Sequence, residues 1–99
     1  MNKNFIHKIQ SYFAGQPVAK AWLFGSASRG EETPDSDVDI LVKFDPDANV
    51  GLFKHAAMIR DLEAILCRAV DLVTEGTLFP WVNEQIEKDK ILIYERKTA

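Results

Sequence analysis

Apolar residues recur along this chain with two periods, and the switches between them mark its elements. From 4 to 14, Phe5, Ile6, Ile9, Tyr12 and Phe13 share one face at helical spacing, with Asn4 suited to cap the start and Gly15 and Pro17 to stop the helix. Val18 to Phe24 is nearly all apolar and reads as a buried strand. In Asp37 to Phe44, Val38, Ile40, Val42 and Phe44 face one way, and Asp37 and Asp39 face the other. Four apolar residues bury one side of that strand and set its register. A helix follows from about Val50 to Leu66, with Leu52, Ala56, Ile59, Leu62 and Leu66 as its core stripe. Ala69 to Thr74 predicts a third strand, Val70 and Leu72 inward, Asp71 and Val73 on the open side. Pro80 suits the first turn of a short helix reaching about Lys88, and Ile91 to Tyr94 reads as a closing strand. The order α-β-β-α-β-α-β predicts an α/β (α+β) fold: a small mixed sheet with helices packed on one face, as a single domain over 1–99.

The connections carry the polar residues. Gly25 and Ser26 follow the first strand directly; Gly25 removes a side chain where the backbone turns, and Ser26 adds a hydroxyl. If Ser26 or Ser28 caps a helical turn there, its free N–H groups form an anion site. The segment Asp45-Pro46-Asp47-Ala48-Asn49-Val50-Gly51 places acidic oxygens on alternate positions, as calcium loops do. Its glycine comes one residue late, however, and Ala56 stands where a bidentate Glu is needed. A turn with Asn or Asp capping the next helix is the better reading. Neither His7 nor His55 has a second His or a Cys at ligand spacing, so both read as surface or partly packed residues.

Charge and cysteine narrow the class. The net charge is −3 and Lys and Arg are scattered, which argues against long nucleic acid as the main ligand. A lone cysteine, Cys67, has no internal partner for a disulfide; with no long apolar segment in view, a cytoplasmic protein without a membrane span is the expectation.

Asp37 and Asp39 then need an explanation. Two like charges a few ångströms apart repel by roughly 4 kcal/mol at an effective dielectric near 20. A shared proton, a neutralising cation or full hydration resolves this. Oxygen-only ligands at such density suit a hard divalent ion, Mg²⁺ or Mn²⁺. Asp71, alone in a short apolar strand, needs a reason too, since charge is normally kept out of such positions.

With Gly25-Ser26, ten residues, Asp37-Val38-Asp39 and a later strand Asp71, the chain resembles the nucleotidyltransferase superfamily that shares the DNA polymerase β palm fold. More narrowly it is similar to the minimal nucleotidyltransferases of prokaryotes: Gly-Ser-x-x-Arg-Gly at 25–30, Ser-Asp-x-Asp-Ile-Leu-Val at 36–42 and Val-Asp-Leu-Val at 70–73 all match. The resemblance implies two Mg²⁺ ions held by Asp37, Asp39 and Asp71, with Asp71 also able to accept the proton of the attacking hydroxyl. It implies that Ser26 and the Gly25 backbone hold the β/γ phosphates. Arg29 either reaches a phosphate or braces the loop against Glu31 or Glu32, the brace being the favoured role. Relatives often carry glycine in a left-handed turn before the third-Asp strand, where this chain has Cys67 and Arg68. A non-glycine residue there costs on the order of 1 kcal/mol if that turn persists.

Minimal members of this family are typically paired with a small helical HEPN protein as a toxin–antitoxin module. The resemblance therefore implies transfer of AMP from ATP to a tyrosine of such a partner, in a hetero-oligomer. The alternatives are a subunit that only masks its partner, through apolar residues around Phe79, Trp81, Ile91 and Ile93, and transfer to a small molecule.

Overall fold

Alternation along each strand becomes a sheet whose two faces are treated differently. The computed structural model describes residues 3–30, 33, 36–76 and 80–96, with the backbone alone at 27, 29 and 82. Its elements are α1 (Lys3–Ala14), β1 (Val18–Phe24), a single helical turn α2 (Ser26–Arg29), β2 (Val38–Phe44), α3 (Leu52–Leu66), β3 (Val70–Thr74), α4 (Pro80–Asp89) and β4 (Ile91–Glu95). The four strands lie in the order β3-β2-β1-β4. β1 is antiparallel to both β2 and β4, while β2 and β3 are parallel and joined by α3.

The main core lies under one face. Ile9 and Phe13 of α1 and Met58, Leu62 and Leu66 of α3 pack on the inward residues of the strands, among them Val38, Ile40, Val42, Val70 and Leu72. Asp71 stays exposed and Val73 half-buried, as the alternation predicts. The expectation of helices on one face describes α1 and α3. α4 runs differently: Ile86 is buried against Trp22 and Leu41, a second cluster on the opposite face. The reason is topological, since β3 and β4 occupy opposite edges and the chain between them has to cross the sheet. Among the described residues no helix is long and apolar enough to cross a membrane.

Several local expectations are corrected. The first helix already includes Lys3, so Asn4 lies within it rather than capping it. α3 begins after Gly51, with no side-chain cap, so neither Asn49 nor Asp47 caps it. Asp45 to Ala48 does form a turn, closed by Ala48 N–H to Asp45 O at 2.9 Å. Ile93 is buried at 7% and belongs to the main core, so it offers nothing to a partner. A bulge in the β1–β4 pairing between Ala21 and Trp22 shifts the alternation of the closing strand and turns Ile93 inward. His55 is half-buried: its Nε2 lies 2.8 Å from Leu72 O, and its ring meets Phe44 edge-on.

The left-handed turn after α3 has persisted despite the missing glycine. Cys67 adopts φ 55°, ψ 38° and its N–H bonds to Glu63 O at 2.8 Å. An L-residue pays about 1–2 kcal/mol in that region, and glycine avoids it at some cost in unfolded-chain entropy. Cys67→Gly is therefore expected to stabilise the fold by about 0.5–1 kcal/mol, read as a higher urea midpoint at unchanged m-value. A lower midpoint would mean that the thiol, 3.8 Å from Ala64 O, contributes more than the strain costs.

Candidate active site

The site forms where three strand ends meet on the face opposite the main core. β1 delivers Phe24 to its end, and the chain turns at once through Gly25, at φ 66°, ψ −148°. An L-residue rarely adopts that backbone, and space forbids a side chain as well. A Cβ at Gly25 would overlap Asp39 Oδ2 and stand 3.2 Å from Asp39 Cγ. The glycine is thus the wall against which the Asp39 carboxylate rests. α2 follows and is closed by Gly30 in the left-handed region, whose N–H bonds to Ser26 O. Neither serine caps this turn as the anion-site expectation supposed. The N-cap is Gly25 itself, and Ser28 Oγ donates back to Gly25 O at 2.8 Å.

Strand register assembles the carboxylates. Asp39 is paired across β1–β2 with Phe24 and across β2–β3 with Asp71. In-register residues of adjacent strands point to the same face, with backbones roughly 4.8 Å apart. Asp39 and Asp71 therefore stand side by side, Asp39 half-buried and Asp71 exposed. The register is held at its start by Val38 N–H to Ala69 O, 2.9 Å, and by Val70 N–H to Glu63 Oε2, 3.1 Å. Asp37 was expected inside the strand; β2 begins one residue later, and Asp37 is exposed just beyond its end.

Beside the carboxylates the face is apolar. Trp22, Leu41 and Ile86 form its floor, with Phe24 and Val73 packed against them. Leu41 is two residues along from Asp39 and Val73 two along from Asp71, so α4 crosses the same face that carries the acids. Lys90 Nζ lies 4.5 Å from the centroid of the Trp22 ring and 2.8 Å from Glu87 Oε1. Trp22 and Phe24 lie in the strand that reads as buried from the sequence, and both pack here. No local signal links Lys90 to Trp22, because the two meet only through the pairing of β4 with β1.

Gly25, Asp39 and Asp71 are thus brought together, with Ser26 adjoining Gly25 in the chain and Asp37 on the approach to β2. The Arg29 side chain, Glu31, Glu32 and Phe79 lie outside the described residues, so the brace is not placed. Among the described residues no three His, Cys, Asp or Glu side chains gather closely enough to hold an ion between them. The donor chemistry still fits a hard divalent cation. Asp39 and Asp71 offer oxygen ligands only, and the missing side chain at Gly25 leaves the space that the Asp39 carboxylate occupies.

Comparison with known proteins identifies the family and the fold. Residues 3–96 match the nucleotidyltransferase domain family. The chain is 42% identical over 72 residues to a candidate protein adenylyltransferase of Methanocaldococcus jannaschii, covering 72% of each. It is 36% identical over 76 residues to the protein adenylyltransferase MntA of Thermococcus cleftensis, covering 77% of this chain and 75% of that one. Its fold superposes with TM-score 0.73, at 19% identity, on a chain from the complex of a tri-AMPylated Shewanella oneidensis HEPN toxin with an MNT antitoxin, covering 97% of this chain and 74% of that one. Matched across nearly its whole described length, and with Asp39, Asp71 and Gly25 gathered at one end of the sheet, the chain belongs to the nucleotidyltransferase domain family and is an enzyme of that type.

Proposed function

We propose that this chain is a divalent-cation-dependent protein adenylyltransferase that moves AMP from ATP to a tyrosine hydroxyl of a helical HEPN-type partner, as the antitoxin of a toxin–antitoxin pair. The reading rests above all on the in-register placement of Asp39 beside Asp71, against a glycine that leaves room for the Asp39 carboxylate. It is supported by relatives named as protein adenylyltransferases.

In this reaction the acceptor oxygen attacks the α-phosphorus of ATP, the bond from that phosphorus to the β-phosphate oxygen breaks, and pyrophosphate leaves. Asp71, exposed at the edge strand, takes the hydroxyl proton. Gly25 and Ser26 receive the β/γ phosphates, with Arg29 reaching a phosphate or bracing the loop. Asp37, Asp39 and Asp71 would hold two Mg²⁺ ions, or Mn²⁺ in their place, which would supply charge neutralisation for the displacement and offset the like-charge repulsion of the carboxylates.

The test is transfer of label from α-labelled ATP to the partner in Mg²⁺, with the modified residue located by mass spectrometry. Label on a partner tyrosine is the expected result. No label with the intact pair would end the transferase reading.

A second reading has its own observation. Trp81 is 67% exposed, and Ile91 and Leu92 about half exposed, a surface on α4 and β4 suited to masking a partner without chemistry. The double variant Asp37→Ala/Asp39→Ala separates the two. Neutralisation of the toxin is expected to be lost if transfer is required and kept if covering suffices.

A further inference from the structure

One cation outside the acidic cluster reaches toward it through the backbone. Arg68 follows the left-handed Cys67, and the reversal of the chain there sends its side chain away from β3 and back to the turn before Asp37. Its Nη2 donates to Thr33 O at 2.6 Å and to Ser36 O at 2.9 Å. Its guanidinium carbon lies 5.6 Å from the centre of the Phe5 ring, so α1 supports it from the other side. The turn it grips is tied internally as well. Ser36 N–H bonds to Thr33 O at 3.0 Å, and Thr33 N–H bonds to Ser36 Oγ at 2.9 Å.

Asp37 is the next residue in the chain, and it lies outside the β2 ladder. Nothing in the strand pairing holds it, whereas Asp39 is fixed by both neighbours. Asp37 is tethered on one side by Val38, whose N–H bonds to Ala69 O, and on the other by the turn preceding it.

We propose that Arg68 is a positioning residue for the acidic site: by holding the Thr33 and Ser36 carbonyls it sets where Asp37 stands relative to Asp39 and Asp71. The inference rests on the transferase reading for its consequence in catalysis, but its structural content is independent. Arg68 touches no reacting atom in this scheme. It supplies the charge-assisted donors that two backbone carbonyls accept, and one guanidinium nitrogen serves both. A lysine at 68 keeps the charge and a single nitrogen donor but loses the planar fork and its stacking on Phe5.

The experiment compares wild type, Arg68→Lys and Arg68→Ala by three readouts. In hydrogen exchange, Arg68→Ala is expected to expose the amides of Thr33 and Ser36 while α1 and β1 keep their protection. In titration with Mn²⁺ and ATP followed by magnetic resonance, the variant is expected to bind the ion about 10–100-fold more weakly, the usual effect of removing a residue that orients ligands. In AMP transfer, kcat/KM is expected to fall by a similar factor, about 10–100-fold, with Arg68→Lys recovering part of each loss. Unchanged exchange at Thr33 and Ser36, or faster exchange with unchanged Mn²⁺ affinity, would overturn the proposal. Wild-type protein that binds Mn²⁺ but transfers no AMP would overturn the transferase reading, while exchange and Mn²⁺ affinity would still decide the role of Arg68.

Discussion

Asp39→Asn is expected to abolish AMP transfer while leaving the fold intact or slightly firmer. Asp39 is paired in register with Asp71 and rests against Gly25. Asparagine keeps its shape and removes one negative charge. On the proposed reading, in which Asp39 would hold Mg²⁺, its loss forfeits several kcal/mol of transition-state stabilisation, a fall in kcat/KM on the order of 10³-fold or more. Like charges opposite one another in a sheet are destabilising by about 0.2–1 kcal/mol, so the same substitution relieves a strain when no cation is present. Thermal melts without divalent cation are expected to place the variant at or above wild type. With Mg²⁺ and ATP, wild type is expected to gain stability and the variant to gain little. A variant that keeps a tenth of the activity would remove Asp39 from the site; one that is less stable without cation would give it a structural task instead.

Gly25→Ala is expected to fail in both respects. The methyl group meets Asp39 Oδ2 in a backbone that L-residues rarely adopt. Backbone strain of this kind costs about 1–3 kcal/mol, and overpacking adds a similar amount, roughly 1–3 kcal/mol, unless the carboxylate moves aside. Moving it aside relieves the clash but displaces the central acid, and a misplacement of about 1 Å costs on the order of 10²-fold in rate. A denaturant midpoint and a transfer assay together are expected to show a destabilised protein with activity down by at least that factor. Normal activity at normal stability would mean that Asp39 does not depend on this wall. Gly51, extended and with open space around it, is the control: Gly51→Ala is expected to alter transfer little.

These effects trace to residues that differ in how openly the chain displays them. Gly25 and Asp39 are conspicuous in the sequence, because a glycine directly after an apolar strand and a carboxylate in an alternating one each break a local rule. Both breaks fall at the site, where local preference yields to function. Asp71 was legible as an anomaly, yet its partner was not. Only the parallel pairing of β2 with β3, across more than thirty residues, makes it the neighbour of Asp39. Arg68 stood in the sequence merely where a glycine was expected. Its grip on Thr33 and Ser36 links positions 35 and 32 residues apart, and no periodicity encodes such a contact. The same holds for α4, whose short amphipathic pattern does not say which face of the sheet Ile86 will cover.

By itself the amino-acid order determined the strands and helices, the inward set Val38, Ile40, Val42, Val70 and Leu72, and Asp39 and Asp71 left on the other side. These follow from the side-chain periods of helix and strand, which are local properties of the backbone. The tertiary structure decided the order β3-β2-β1-β4, the meeting of Asp39 with Asp71, the closeness of Gly25 to Asp39 and the return of Arg68 to the turn before Asp37. Those depend on which segments pair and in what register, a choice set by the burial of the whole core rather than by any one stretch of chain.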